Sequence, residues 1–203
     1  MKSGKQIKSV IGFVCIIISI LMIGCTVKVS LSNYIPVLAD DYSEYKGKRV
    51  YLMNFDNQAN NTSILKYYSL DKKFTYSKPL DSSGLKRTPL SYEDLIHNYF
   101  WYAFKDAFTK LQMLISTVDN PDLTAPAMWL TLLSITDVNY DVKVTVQKKD
   151  IIAFTKPYTI LEPPLSEKDR NPDDLEQRAY RMTTRLIETI MGDPDLRKVL
   201  TEP

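Results

Sequence analysis

The chain has 203 residues, 44% apolar and 25% charged, the balance of an ordinary globular domain rather than a disordered or fibrous one, and its length allows a single domain with a tail. Lysine and arginine total 26 against 24 aspartates and glutamates, so a formal charge of +2 supplies no basic field of the kind that holds nucleic acid. The two cysteines, Cys15 and Cys25, both precede the expected domain, which excludes an internal disulfide framework and a cysteine-based zinc site there.

Lys2, Lys5 and Lys8 precede a run from Val10 to Ile23 that is apolar except for Gly12 and Ser19. A basic n-region followed by an apolar h-region is the pattern of a secretory signal, in which the lysines stay cytoplasmic and the remainder is exported. The run closes in Leu21-Met22-Ile23-Gly24-Cys25, which resembles the lipobox of bacterial prolipoproteins, although Met22 stands where that family usually has leucine. The resemblance implies a diacylglyceryl group on the Cys25 thiol, cleavage before Cys25 and further acylation, by palmitate for example, of the new N-terminus. Acyl chains at ~0.8 kcal/mol per buried methylene hold a soluble domain at a membrane. The competing reading is an uncleaved signal anchor, because Val10 to Val27 carries no charge and approaches the minimum length of a span. Both readings put the domain outside the cytoplasm. Thr26, where enteric lipoproteins retained in the inner membrane have aspartate, favours the periplasmic face of the outer membrane. Loss of residues 1–24 removes three lysines and leaves 23 basic against 24 acidic residues, a net charge of −1, so overall basicity offers no argument for anionic lipid.

Residues 25–46 read as a spacer from lipid to domain, with Ser30, Ser32, Asn33, Pro36, Asp40 and Asp41 scattered among apolar residues; the domain is expected over 47–203. Arg49 to Phe55 predicts a central strand, and residues 56–63 a loop. Ile64 to Lys78, with Tyr67, Tyr68 and Tyr76, predicts a hairpin or an irregular strand. Ser91 and Asp94 form a capping-box-like pair with Leu90 as a staple. They open a helix of about 22 residues with Ile96, Phe100, Ala103, Phe104, Ala107, Phe108, Leu111 and Leu114 on one stripe. Met128 to Val138 and Tyr140 to Gln147 predict strands, the second alternating cleanly, and the polar link Lys148-Lys149-Asp150 predicts a hairpin to the strand from Ile151 to Tyr158. Asn171-Pro172-Asp173-Asp174 opens a last helix with Leu175, Ala179, Met182, Leu186 and Ile190 at helical spacing, followed by a final turn around Leu196 and Leu200.

This order predicts an α+β two-layer sandwich, with two helices on one face of a four- or five-stranded, mostly antiparallel sheet. The other sheet face is left to solvent or to a partner. His97, the single histidine, lies one turn after Asp94, and such a pair can act as a general base. No nucleophile motif accompanies it, so a surface histidine near a cap is the preferred reading. GxSxG, P-loop, GxGxxG and HExxH motifs are all lacking, and neither a cofactor nor a metal is expected. Asp40-Asp41 and Asp173-Asp174 read as caps and loop solvation. Among the aromatics, Trp101 and Tyr102 fall off the helix stripe and join Tyr67, Tyr68 and Tyr76 as candidate partner contacts.

Small lipid-anchored α+β domains of this plan resemble, in architecture and address only, the LptE-like and YajG-like periplasmic lipoproteins. The resemblance implies an accessory role in envelope biogenesis and carries over no site residue beyond Cys25. The expectation is a non-enzymatic envelope lipoprotein that binds an envelope protein partner, with a lipid- or glycan-binding carrier as the alternative and an enzyme as the weakest reading.

Overall fold

The computed structural model describes residues 34–39, 41–59, 92–164, 166 and 172–202; for 92–98 and 172 the helical backbone alone is described. Cys25, Tyr67, Tyr68 and Tyr76, the expected strands over 64–78 and the cap at Ser91 lie outside the described residues, as do the side chains of Asp94 and His97.

The fold is α+β. After a 3-10 turn at Ser43–Tyr45, the elements run β1 (Arg49–Leu52), β2 (Asp56–Asn57), α1 (Tyr92–Lys110), β3 (Leu114–Thr117), β4 (Ala127–Ile135), β5 (Asn139–Lys148), β6 (Ile151–Leu161), α2 (Pro172–Met191) and α3 (Pro194–Thr201). Among the described residues the sheet has six strands, in the order β3-β1-β4-β5-β6, with the two-residue β2 paired to β4 beyond the end of β1. Its long strands β4, β5 and β6 are antiparallel. The other end is parallel, β1 pairing with both β3 and β4. The expectation of a mostly antiparallel sheet rested on the hairpin and could not see this half, because its partners are separated by the long helix.

One difference from the sequence reading is the end of α1. The helix stops at Lys110 rather than running through Leu114, since Gln112 adopts φ 56 and the backbone closes a Schellman motif. Gln112 N–H donates to Thr109 O at 3.0 Å and Met113 N–H to Phe108 O at 3.0 Å. No glycine marks the site, so the stop is silent in the sequence. Leu114 thereby leaves the helix stripe and begins β3, where it is exposed.

The core lies between the sheet and the helices. Val50, Leu52, Met128, Leu130, Leu132, Tyr140, Val142, Val144 and Val146 come from alternate strand positions, and all are buried. Against them pack Phe100, Ala103, Phe104, Ala107 and Phe108 of α1 and Leu175, Ala179, Met182, Leu186 and Ile190 of α2, the expected stripes, again all buried. Leu196 and Leu200 of α3 complete the layer, so the final turn is a short third helix. The β5–β6 hairpin turns on two residues, Lys149 at φ 48 and Asp150 at φ 67, the left-handed pair of a type I′ turn, although neither is glycine. Gly47, at φ 71, is the one described glycine whose backbone needs its freedom; it leads the chain into β1.

Candidate functional site

The segment expected as spacer is partly a strap on the helices. Tyr42 and Tyr45 are buried in the core, and Tyr34 and Leu38 are packed against it. Tyr34 stands between the two long helices, its ring 6.0 Å from that of Tyr99 on α1 and 5.6 Å from that of Tyr180 on α2. Its hydroxyl pairs with Thr184 Oγ1 at 3.2 Å. Lys110 Nζ donates to Pro36 O at 2.8 Å, Ala39 N–H to Glu188 Oε1 at 2.9 Å and Tyr45 Oη to Met191 O at 2.8 Å, the last satisfying one open carbonyl at the end of α2. Burial pushes the Tyr34 hydroxyl up to about 12; Thr184 works against this shift, and Glu188 and Asp106 reinforce it. The packed body therefore takes in residues 34–46 ahead of Gly47. Their apolar content (Tyr34, Ile35, Val37, Leu38, Tyr42 and Tyr45) was visible in the sequence, but without a period to mark it as structure.

Beside the strap runs an open groove of about 590 Å³, walled by Tyr34, Ile35 and Val37 on one side and by Tyr180, Arg181 and Thr184 of α2 on the other. A smaller cleft of about 320 Å³ lies across the strap, toward Asp106, Thr109 and Lys110 of α1. Ile35 and Val37 point away from the core and are 75% and 63% exposed.

At one end of the groove three arginines of α2 meet the Glu162 carboxylate. Arg178 is buried and lies 3.6 Å from it, while Arg181 and Arg185, both about half exposed, approach to 3.9 and 3.3 Å. Arg178 also donates to the backbone carbonyls of Asp137 and Pro163, which ties the chain after β6 to the helix. Glu176, another groove carboxylate, accepts from the Tyr180 hydroxyl. Glu162 thus gathers three arginines at this end of the groove, and its pairs with the half-exposed Arg181 and Arg185 add little to stability.

The sheet face turned away from the helices is closed at its centre and open toward β6. Thr131 and Thr145 are buried there and Tyr51 and Trp129 half-buried, whereas Thr155, Pro157, Thr159 and Leu161 are exposed. Among the described residues β6 is an edge strand, and its outer edge is blunted. Pro157 has no N–H to offer an added strand, and Lys156 is committed to Asp193 at 2.6 Å.

Of the sequence-predicted contact residues, Trp101 and Tyr102 lie among the described residues. Trp101 and Tyr102 are half-buried on α1 with their rings 5.0 Å apart at a near right angle. Trp101 Nε1 donates to Met53 O at 3.0 Å and Lys105 Nζ lies 5.3 Å from its ring, so this indole braces α1 on the chain between β1 and β2. Asp41, read from the sequence as a cap, accepts from Ser43 N–H at 2.9 Å. Among the described residues, no group of three or more histidines, cysteines, aspartates or glutamates is placed to hold a metal ion, and no helix is long and apolar enough to cross a membrane.

No family model and no curated protein matches this chain. Among solved structures it is similar to a protein of Xanthomonas campestris described under the family model DUF330, with 7% identity and a TM-score of 0.49 over 82% of this chain and 96% of that one. A second crystal structure, described as an uncharacterized protein, is similar with 9% identity and a TM-score of 0.45 over 83% of this chain and 98% of that one.

Proposed function

We propose that the chain is a membrane-anchored bacterial envelope lipoprotein, non-enzymatic, whose domain acts as an accessory subunit by binding an envelope protein partner. The observation that carries this reading is the sequence Leu21-Met22-Ile23-Gly24-Cys25 closing an apolar run behind three lysines, with Cys25 as the lipidated residue. Thr26 after that cysteine favours the outer membrane, with the domain facing the periplasm.

The open side of the outer sheet face supports a protein partner. Exposed Thr155, Pro157, Thr159 and Leu161 adjoin half-buried Lys143 and Asp141, a rigid, mixed surface of the kind found in non-obligate interfaces. Because the β6 edge is blunted, the partner is expected on the face and not as an added strand.

Chemical cross-linking in intact cells, followed by mass spectrometry of the purified full-length protein, tests the proposal. Recovery of an envelope protein joined through Lys143 is the expected result. Recovery of bound lipid or glycan with no protein partner would replace it with the carrier reading, for which the 590 Å³ groove supplies a location.

A further inference from the structure

We infer that the strap is a membrane-contact element: Ile35 and Val37 dip into the bilayer surface beside the acyl anchor, and the helical layer faces the membrane while the outer sheet face points away from it. The inference rests on the lipid-anchor reading and adds an orientation to it.

Three observations converge. Eight residues, 26–33, separate the anchor Cys25 from Tyr34, and the nine chain steps between them span at most about 32 Å, so the strap is the described part of the domain that the tether holds nearest the bilayer. The strap is fixed to the helices through Tyr34, Pro36 and Ala39, with the exposed side chains of Ile35 and Val37 at alternate positions between these ties. Those ties leave the two aliphatic side chains outward at 75% and 63% exposure, a costly arrangement in water that lipid relieves.

Their surroundings match a membrane interface. Tyr34 and Tyr180 flank the pair, and Arg181 and Arg185 lie across the groove with long apolar stems. Charge decides between occupants. Glu162 and Glu176 face the same groove as Arg181 and Arg185, and Glu188 and Asp106 lie close enough to act on Tyr34, so the described residues around the strap offer no positive excess to select an acidic peptide or an anionic headgroup. What remains is apolar insertion, indifferent to lipid charge and to salt.

The test uses the full-length protein purified in detergent and reconstituted into phosphatidylcholine vesicles, with a photo-crosslinking side chain replacing Ile35, Val37 or, as a control on the outer sheet face, Thr155. Phosphatidylcholine adducts are expected at 35 and 37 with a yield about tenfold above that at 155, corresponding to a preference of ~1.4 kcal/mol, and unchanged by added salt. Equal yields at all three positions, adducts within the chain or to a second protein copy, or adducts to a lipid retained from the cell would each overturn the inference. Mass analysis of the same preparation separates the two levels. Protein without acyl groups on Cys25 defeats the anchor reading and this one together, whereas acylated protein silent at 35 and 37 defeats only the orientation.

Discussion

At the scale of single residues, Asp193 holds the corner between the two last helices. Its carboxylate caps α3, accepting from Asp195 N–H at 2.9 Å and Leu196 N–H at 3.3 Å, and also receives Lys156 Nζ at 2.6 Å and Tyr158 Oη at 2.8 Å from β6. Burial on its own would raise this carboxyl, but the four donors together outweigh it and hold the group below the usual carboxylate range. A lowered folded value means that the native state binds the proton more weakly than the unfolded chain. The stabilisation is therefore complete above about pH 4 and drains away as the pH falls further. Asp193→Ala is expected to cost about 2 kcal/mol in urea unfolding at neutral pH, from the lost cap and the stranded Tyr158 hydroxyl. Asp193→Asn should keep part of the cap while losing that acid dependence. A neutral-pH stability equal to that of the unmodified protein in Asp193→Ala would mean the corner is held by other contacts.

At the scale of elements, the end of α1 shows what the sequence conveys and what it hides. Periodicity located the stripes of both long helices and the strand now seen as β5, because each buries one face against the core and repeats at the period of its own geometry. The end of the helix depends instead on one residue, Gln112, taking a left-handed conformation that its side chain disfavours by roughly 1 kcal/mol. Leu111 and Leu114 fit the stripe whether or not the helix continues, so spacing could not reveal the stop. Gln112→Gly should raise stability by about 0.5–1 kcal/mol, measured by thermal or urea unfolding. Destabilisation would show that the Gln112 side chain contributes more than the strain it imposes. The β5–β6 hairpin was legible from the short polar link Lys148-Lys149-Asp150, but its type I′ turn was not, since neither Lys149 nor Asp150 is the glycine that such turns prefer. The strap was missed for a different reason. Aperiodic segments pack by individual side chains, and the tyrosines at 34, 42 and 45 became informative only once the helix ends they cover were in place.

At the scale of the whole molecule, the helical layer carries the strap on its outside, and the sheet presents a mixed face in the opposite direction. On the proposed anchoring through Cys25, a short tether entering on the helical side would leave that sheet face free for a partner while holding the domain close to the bilayer. The candidate site was thus only partly legible. The proposed anchor is written as five contiguous residues, whereas the groove is assembled from side chains more than 120 residues apart, Tyr34 and Tyr180 among them, and no local pattern announces it. Everything at this scale follows from the fate of Cys25. Intact mass spectrometry of the protein extracted from cell membranes, with sequencing of its N-terminal peptide, is the direct measurement. The account predicts a chain that starts at Cys25 and carries diacylglyceryl and amide-linked acyl groups; a chain that retains residues 1–24, or one that starts elsewhere with an unmodified Cys25 thiol, would contradict it.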